Sequence, residues 1–93
     1  MGQKRIHLVV RGRVQGVYFR AYTRDCADSL GIRGWVRNDI DGSVRAMLQH
    51  SNDLVLDQMI SLLKLGPPSA SVESVEYQSD PTEPQHDGFM ITT

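Results

Sequence analysis

Ninety-three residues, 40% of them hydrophobic, suffice for one domain and exclude two. A formal charge of −1, from ten Lys and Arg against eleven Asp and Glu, favours a small anionic ligand over a polyanion. The single Cys26 excludes an internal disulfide and argues against a cysteine-based metal site, and no apolar run is long enough to cross a membrane.

Residues 5 to 11 alternate, with Ile6, Leu8 and Val10 on one face and His7, Val9 and Arg11 on the other, which predicts a first strand with one face against a core. Gly12 and Gly16, with Gln15, are expected in a strand-to-helix turn. Phe19, Tyr22, Thr23, Cys26, Ala27 and Leu30 recur at helical spacing and predict a helix over 19–30, closed by Gly31 in a left-handed cap. Cys26 on that apolar stripe reads as an inert thiol. A second strand is expected over 32–38, with Trp35 opposite Val36 in face, then an Asp39-Ile40-Asp41-Gly42 hairpin turn and a third strand over 43–49.

Ser51 or Asn52 can cap a second helix whose stripe is Leu54, Val55, Met59, Ile60, Leu62 and Leu63, ended by Gly66-Pro67-Pro68. Val72, Ser74 and Tyr77 suggest a fourth strand of untidy parity. A polar loop with Pro81 and Pro84 and a short last strand at Phe89 to Thr92 complete the chain, and residues 1–4 are expected to fray. The order β-α-β-β-α-β plus a short final strand predicts an α+β fold over residues 1–93. The expected form is a ferredoxin-like split βαβ sandwich, with two helices on one face of a largely antiparallel sheet. A right-handed crossover makes strands one and two parallel, so Asn38 should lie beside the turn that follows strand one.

The charges are uneven, nine basic and four acidic in residues 1–50 against one and seven in 51–93, and the basic excess is nearly all arginine, which suits phosphate recognition. Unpaired N–H groups of Gln15, Gly16, Val17, Tyr18 and Phe19, at the positive end of a helix, form a cradle for a phosphoryl group, with Arg20 at its rim. The stretch holds no serine, threonine, cysteine or histidine as nucleophile. A phenol such as Tyr18 without an adjacent base is a poor one. No metal-ligand cluster is evident; Asp39 and Asp41 read as turn formers. The attacker is then water, held by the Asn38 amide, which cannot act as a base at neutral pH. Such a site needs a leaving group that departs unprotonated, and the carboxylate of a mixed carboxylic-phosphoric anhydride qualifies.

Gly12-Arg13-Val14-Gln15-Gly16-Val17-Tyr18-Phe19-Arg20 resembles the first signature of the acylphosphatases, and Gly34-Trp35-Val36-Arg37-Asn38 with Asp41-Gly42-Ser43-Val44 resembles the second. The resemblance implies that Arg20 binds the substrate phosphate and Asn38 orients the water. It also implies a ferredoxin-like, cofactor-free and metal-free monomer acting on compounds like acetyl phosphate, carbamoyl phosphate and 1,3-bisphosphoglycerate. Inorganic phosphate or sulfate would compete, and a chain without a leader pattern is expected in the cytoplasm. His50 stands where the family has glycine; if a positive φ is needed there, the strain is roughly 1 kcal/mol or more.

Two other functions fit parts of the chain. A phosphate-binding regulatory or carbamoyl-transfer module would keep the cradle without free hydrolysis. A nucleic-acid binder would need two or three exposed aromatics on the central strands, where His7, Val9, Arg11, Arg45 and Met47 stand instead.

Overall fold

The computed structural model describes residues 3–81 and 86–92; of the four residues expected to fray, Lys4 instead opens the first strand and Gln3 accepts a hydrogen bond from Gln49, while Met1, Gly2 and the Pro84 part of the polar loop lie outside the described residues. Seven elements follow in order: β1 (Lys4–Arg13), α1 (Phe19–Leu30), β2 (Arg33–Asn38), β3 (Val44–His50), α2 (Asp53–Leu65), β4 (Ser71–Ser79) and β5 (Phe89–Ile91). The strands form one sheet in the order β4-β1-β3-β2-β5. β1 pairs antiparallel with β3 and β4, and β2 pairs antiparallel with β3 and parallel with β5. This is the expected α+β split βαβ arrangement, with β1 and β2 running the same way on either side of β3.

The helix signals act as read. α1 buries Phe19, Thr23 and Ala27. It ends where Gly31, at φ 70°, lets the Ile32 N–H reach back to the Ala27 carbonyl at 2.8 Å. Burial pushes the half-buried Cys26 thiol above its ordinary value, in keeping with an inert group. Asn52, not Ser51, caps α2, its Oδ1 accepting the Leu54 N–H at 2.9 Å. The α2 stripe is Leu56, Met59, Ile60 and Leu63; Leu54, expected within it, is 75% exposed, because it lies about 200° round the helix from Leu56.

β1 is longer than its alternating run. Gly12 belongs to it and sits not in the following turn but at a bulge, where the register with β4 shifts between Arg11 and Gly12. A Cβ there would lie 2.2 Å from the Ser71 carbonyl oxygen, so only glycine permits the approach. The same bulge explains the untidy parity of the fourth strand: one extra residue lets Val72 and Val75, three apart, both pack against the core.

Leu8, Val10, Val36, Val44 and Leu48 face the helices with no exposed surface. On the other face stand His7, Arg11, Trp35, Arg37, Arg45 and Met47, set by the register pairs His7↔Met47, Trp35↔Met47 and Arg37↔Arg45. The described residues just before β5 meet that face. The His86 N–H donates to Gln49 Oε1 at 3.1 Å, and the Gly34 N–H to the Gly88 carbonyl at 2.9 Å. Met47 is fully buried there, and Trp35 packs edge-on to His7 and under Arg37.

The strain expected at His50 is absent. Tyr18 is the only non-glycine residue at positive φ among the described residues. His50 closes β3 opposite Lys4, at the end of the sheet remote from Asn38, where its Nδ1 accepts the Asn52 N–H at 2.9 Å.

Candidate active site

Between β1 and α1 the chain alternates inward and outward. Val14, Val17 and Phe19 are driven into the core, at 1, 8 and 2% exposure, and pin the loop at three points, while Gly16 and Tyr18 face out. Gly16 has φ 73° and Tyr18 φ 69°, with Val17 between them at negative φ. This alternation of sign turns successive N–H groups toward one side of the chain, making a concave donor nest. No N–H of residues 15–21 donates to an acceptor among the described residues. Tyr18 is the N-cap of α1 yet supplies no side-chain cap, and the first turn has no acidic residue. The orphan donors and the positive end of the helix are thus unspent. A tyrosine in the left-handed region costs about 1–2 kcal/mol that a glycine would not.

Arg20, on the first turn of α1, makes no ion pair or side-chain hydrogen bond among the described residues, whereas Arg11, Arg24, Arg37 and Arg45 each meet a carboxylate. Asn38, two residues beyond the buried Val36, points to the same helix-covered face of β2. The two side chains, eighteen residues apart in the chain, meet in one hollow of about 220 Å³ with Val14, Gly16, Tyr18, Phe19, Ala21 and Ile91. Asn38 Oδ1 is shut off from bulk water and accepts no hydrogen bond among the described residues. A buried acceptor left in that state costs about 1–3 kcal/mol. Hollows of about 310 and 470 Å³ elsewhere are larger but contain groups already paired, Arg45 with Asp39 and Lys4 with Asp53.

Two supports of this site are invisible in the linear chain. The Gln15 side chain donates through Nε2 to the Asp39 carbonyl at 2.7 Å and to the Ser43 carbonyl at 2.9 Å, tying the nest to the turn that begins right after Asn38. On the other face, Arg45 Nε holds Asp39 Oδ2 at 2.6 Å and Arg37 Nη1 lies 3.5 Å from Asp39 Oδ1. The turn is gripped from both sides, so Asp39 and Asp41 do more than form it. Gln15 entered the sequence reading only through its backbone. The single available signal was its polar side chain within an otherwise apolar Val14–Val17 stretch.

Replacing Gln15 with Ala removes both bonds and unties the nest from the turn, whose carbonyls keep only their backbone donors, the Gly42 N–H on Asp39 and the Asp39 N–H on Ser43. The expected loss is about 1–2 kcal/mol of stability, read from the denaturant midpoint, together with a lower kcat from a looser Asn38.

The hydrogen bond from Arg45 chiefly holds the Asp39 carboxyl below its ordinary value of 3.8, and Ser43 does the same for Asp41. A carboxylate depressed in the folded state adds stability above its unfolded value, and that stability is lost as pH falls through the folded one. Unfolding temperature should therefore drop as pH descends below 3.8, and Asp39→Asn should flatten that drop. Equal acid dependence in both proteins would refute the clamp.

The chain is similar to known proteins along nearly its whole length. A family model described as Acylphosphatase matches residues 6–91. An acylphosphatase of Pelotomaculum thermopropionicum is 40% identical over 91 residues, covering 98% of each chain. The solved acylphosphatase from Coxiella burnetii superposes with a TM-score of 0.89 at 32% identity, covering 98% of this chain and 94% of that one. HypF from T. kodakarensis matches with a TM-score of 0.81 at 26% identity, over 97% of this chain but 12% of that far longer one.

Proposed function

We propose a mechanism on the premise that this chain belongs to the acylphosphatase family and hydrolyses acyl phosphates to a carboxylate and inorganic phosphate. The N–H groups of Gln15, Gly16, Val17, Tyr18 and Phe19, with the Arg20 guanidinium, hold the three nonbridging phosphoryl oxygens. Their charge-assisted hydrogen bonds strengthen as negative charge gathers on those oxygens in the transition state. A water enters on the side of phosphorus opposite the acyl oxygen, held by the Asn38 amide carbonyl. The P–O bond to the acyl group breaks with its electron pair, the carboxylate leaves unprotonated, and the water proton passes to a phosphoryl oxygen. For the amide oxygen to hold that water, it must turn about its last torsion from the inward orientation seen here, a broad two-fold rotor.

The observation that carries this reading is the meeting of the unpaired Arg20, the unspent donors of the nest and the orphan acceptor of Asn38 at one hollow. The test is turnover of acetyl phosphate by the purified chain in the presence of a chelator. Sustained hydrolysis, competitively inhibited by inorganic phosphate or sulfate, is the expected result; loss of activity on chelation would overturn the metal-free scheme. A chain that matches 12% of the far longer HypF also fits a second reading, a module working within a larger protein that binds phosphate without hydrolysing it, and the same assay separates the two. We further read the protein as a cytoplasmic monomer of one domain; the one family model over residues 6–91 supports the single domain, and the one half-buried thiol supports a reducing compartment. Among the described residues no helix is long and apolar enough to cross a membrane.

A further inference from the structure

The phosphate end of the hollow is polar, but the rest of its wall is not. Beyond Gly16, Arg20 and Asn38 it is lined by apolar groups, of which Tyr18 and Ile91 reach solvent, at 67 and 36% exposure. Ile91 arrives by tertiary structure alone. β5 lies parallel to β2 with Val36↔Ile91 in register, which sets Ile91 on the same helix-covered face as Asn38.

Tyr18 has no structural employment that explains it. It holds the only positive φ among the described non-glycine residues, a conformation that glycine would adopt without strain. Its side chain makes no hydrogen bond, ion pair or ring contact among the described residues. The core gains nothing from the ring, and the nest needs only its backbone. Strained, exposed side chains at a cavity mouth are where ligand contacts concentrate.

We infer that Tyr18 and Ile91 form the acyl-group wall of the site and set a preference for acyl phosphates with a bulky apolar or aromatic acyl group over those with a short or polar one. The inference rests on the hydrolase reading above and names the half of the substrate which that reading leaves open. The phosphoryl group, gripped in the nest, would direct the acyl carbon outward between the two side chains. A flat apolar acyl group gains their contact, whereas an acetyl group is too short to reach it and a carbamoyl group would set polar atoms against an apolar wall.

The test is the ratio of kcat/KM for benzoyl phosphate to that for acetyl phosphate in the wild-type chain and in Tyr18→Gly, Tyr18→Phe and Ile91→Ala, with thermal unfolding measured alongside. The wild-type ratio should exceed about tenfold, the scale on which an apolar pocket discriminates. It should fall about tenfold in Tyr18→Gly and several-fold in Ile91→Ala, and Tyr18→Phe should retain it, since the ring and not the hydroxyl makes the wall. A loss of folding alone would depress both substrates together and leave the ratio in place. A wild-type ratio near one, or a ratio that neither Tyr18→Gly nor Ile91→Ala moves, overturns the inference while acetyl phosphate turnover leaves the hydrolase reading standing. Failure of the wild type to hydrolyse either substrate overturns both.

Discussion

Asn38→Ala should lower kcat by about 2–4 kcal/mol in barrier, roughly 30-fold to a thousandfold, with little change in KM. The split follows from the role proposed for the side chain. Asn38 contributes no charge to the phosphate site, so the bound substrate hardly notices its removal. The water, however, loses the acceptor that fixes its distance and angle to phosphorus, and that cost falls in the transition state. Because Asn38 Oδ1 is an orphan buried acceptor, truncation also relieves an unpaired polar group, and the variant should be no less stable than the wild type. Stopped-flow or steady-state hydrolysis of acetyl phosphate, with unfolding midpoints as control, measures both. Asn38→Asp is the sharper companion, since a carboxylate beside the phosphoryl oxygens should weaken binding as well. Full-rate turnover by Asn38→Ala would remove the water-holding role.

Arg20→Ala should weaken substrate and inorganic phosphate together, by about 1.5–3 kcal/mol each, roughly ten- to 150-fold. The guanidinium is unpaired among the described residues, so nothing in the fold relaxes to replace it and nothing in the fold depends on it. Its loss should therefore spare stability. Arg20→Lys retains the charge but not the planar fork, and should recover only part of the binding. Inhibition by inorganic phosphate and KM for acetyl phosphate, titrated against ionic strength, are the measurements. A variant that lost kcat alone, with phosphate inhibition intact, would move Arg20 from the binding of the ground state to the transition state only.

Much of this site was legible in the linear chain because its chemistry is local. The nest, the uncapped helix start and Arg20 occupy six consecutive positions, Gln15 to Arg20. The helix limits were equally plain, since Gly31 and Gly66 announce their stops. Misreadings fell where one residue of slip matters. Gly12 looked like a turn glycine because a bulge carries no local signature, and Leu54 looked buried because it adjoins the apolar stripe in sequence while lying about 200° round the helix from Leu56. His50 looked strained only by comparison with a family glycine, and the backbone there is ordinary.

What the amino-acid sequence by itself determined was the order of elements, the helix start that follows the first turn, and the parallel course of β1 and β2 that brings Asn38 toward that turn. These follow from propensity, periodicity and chain handedness, which act over a few residues at a time. Tertiary structure alone decided that Asn38 turns to the helix side, that the Gln15 side chain and the Arg45–Asp39 pair grip the following turn from its two faces, and that Ile91 completes the hollow. Each of these depends on the register between strands far apart in the chain and on the edge that β5 joins, and a side-chain period of two makes a one-residue shift reverse the answer.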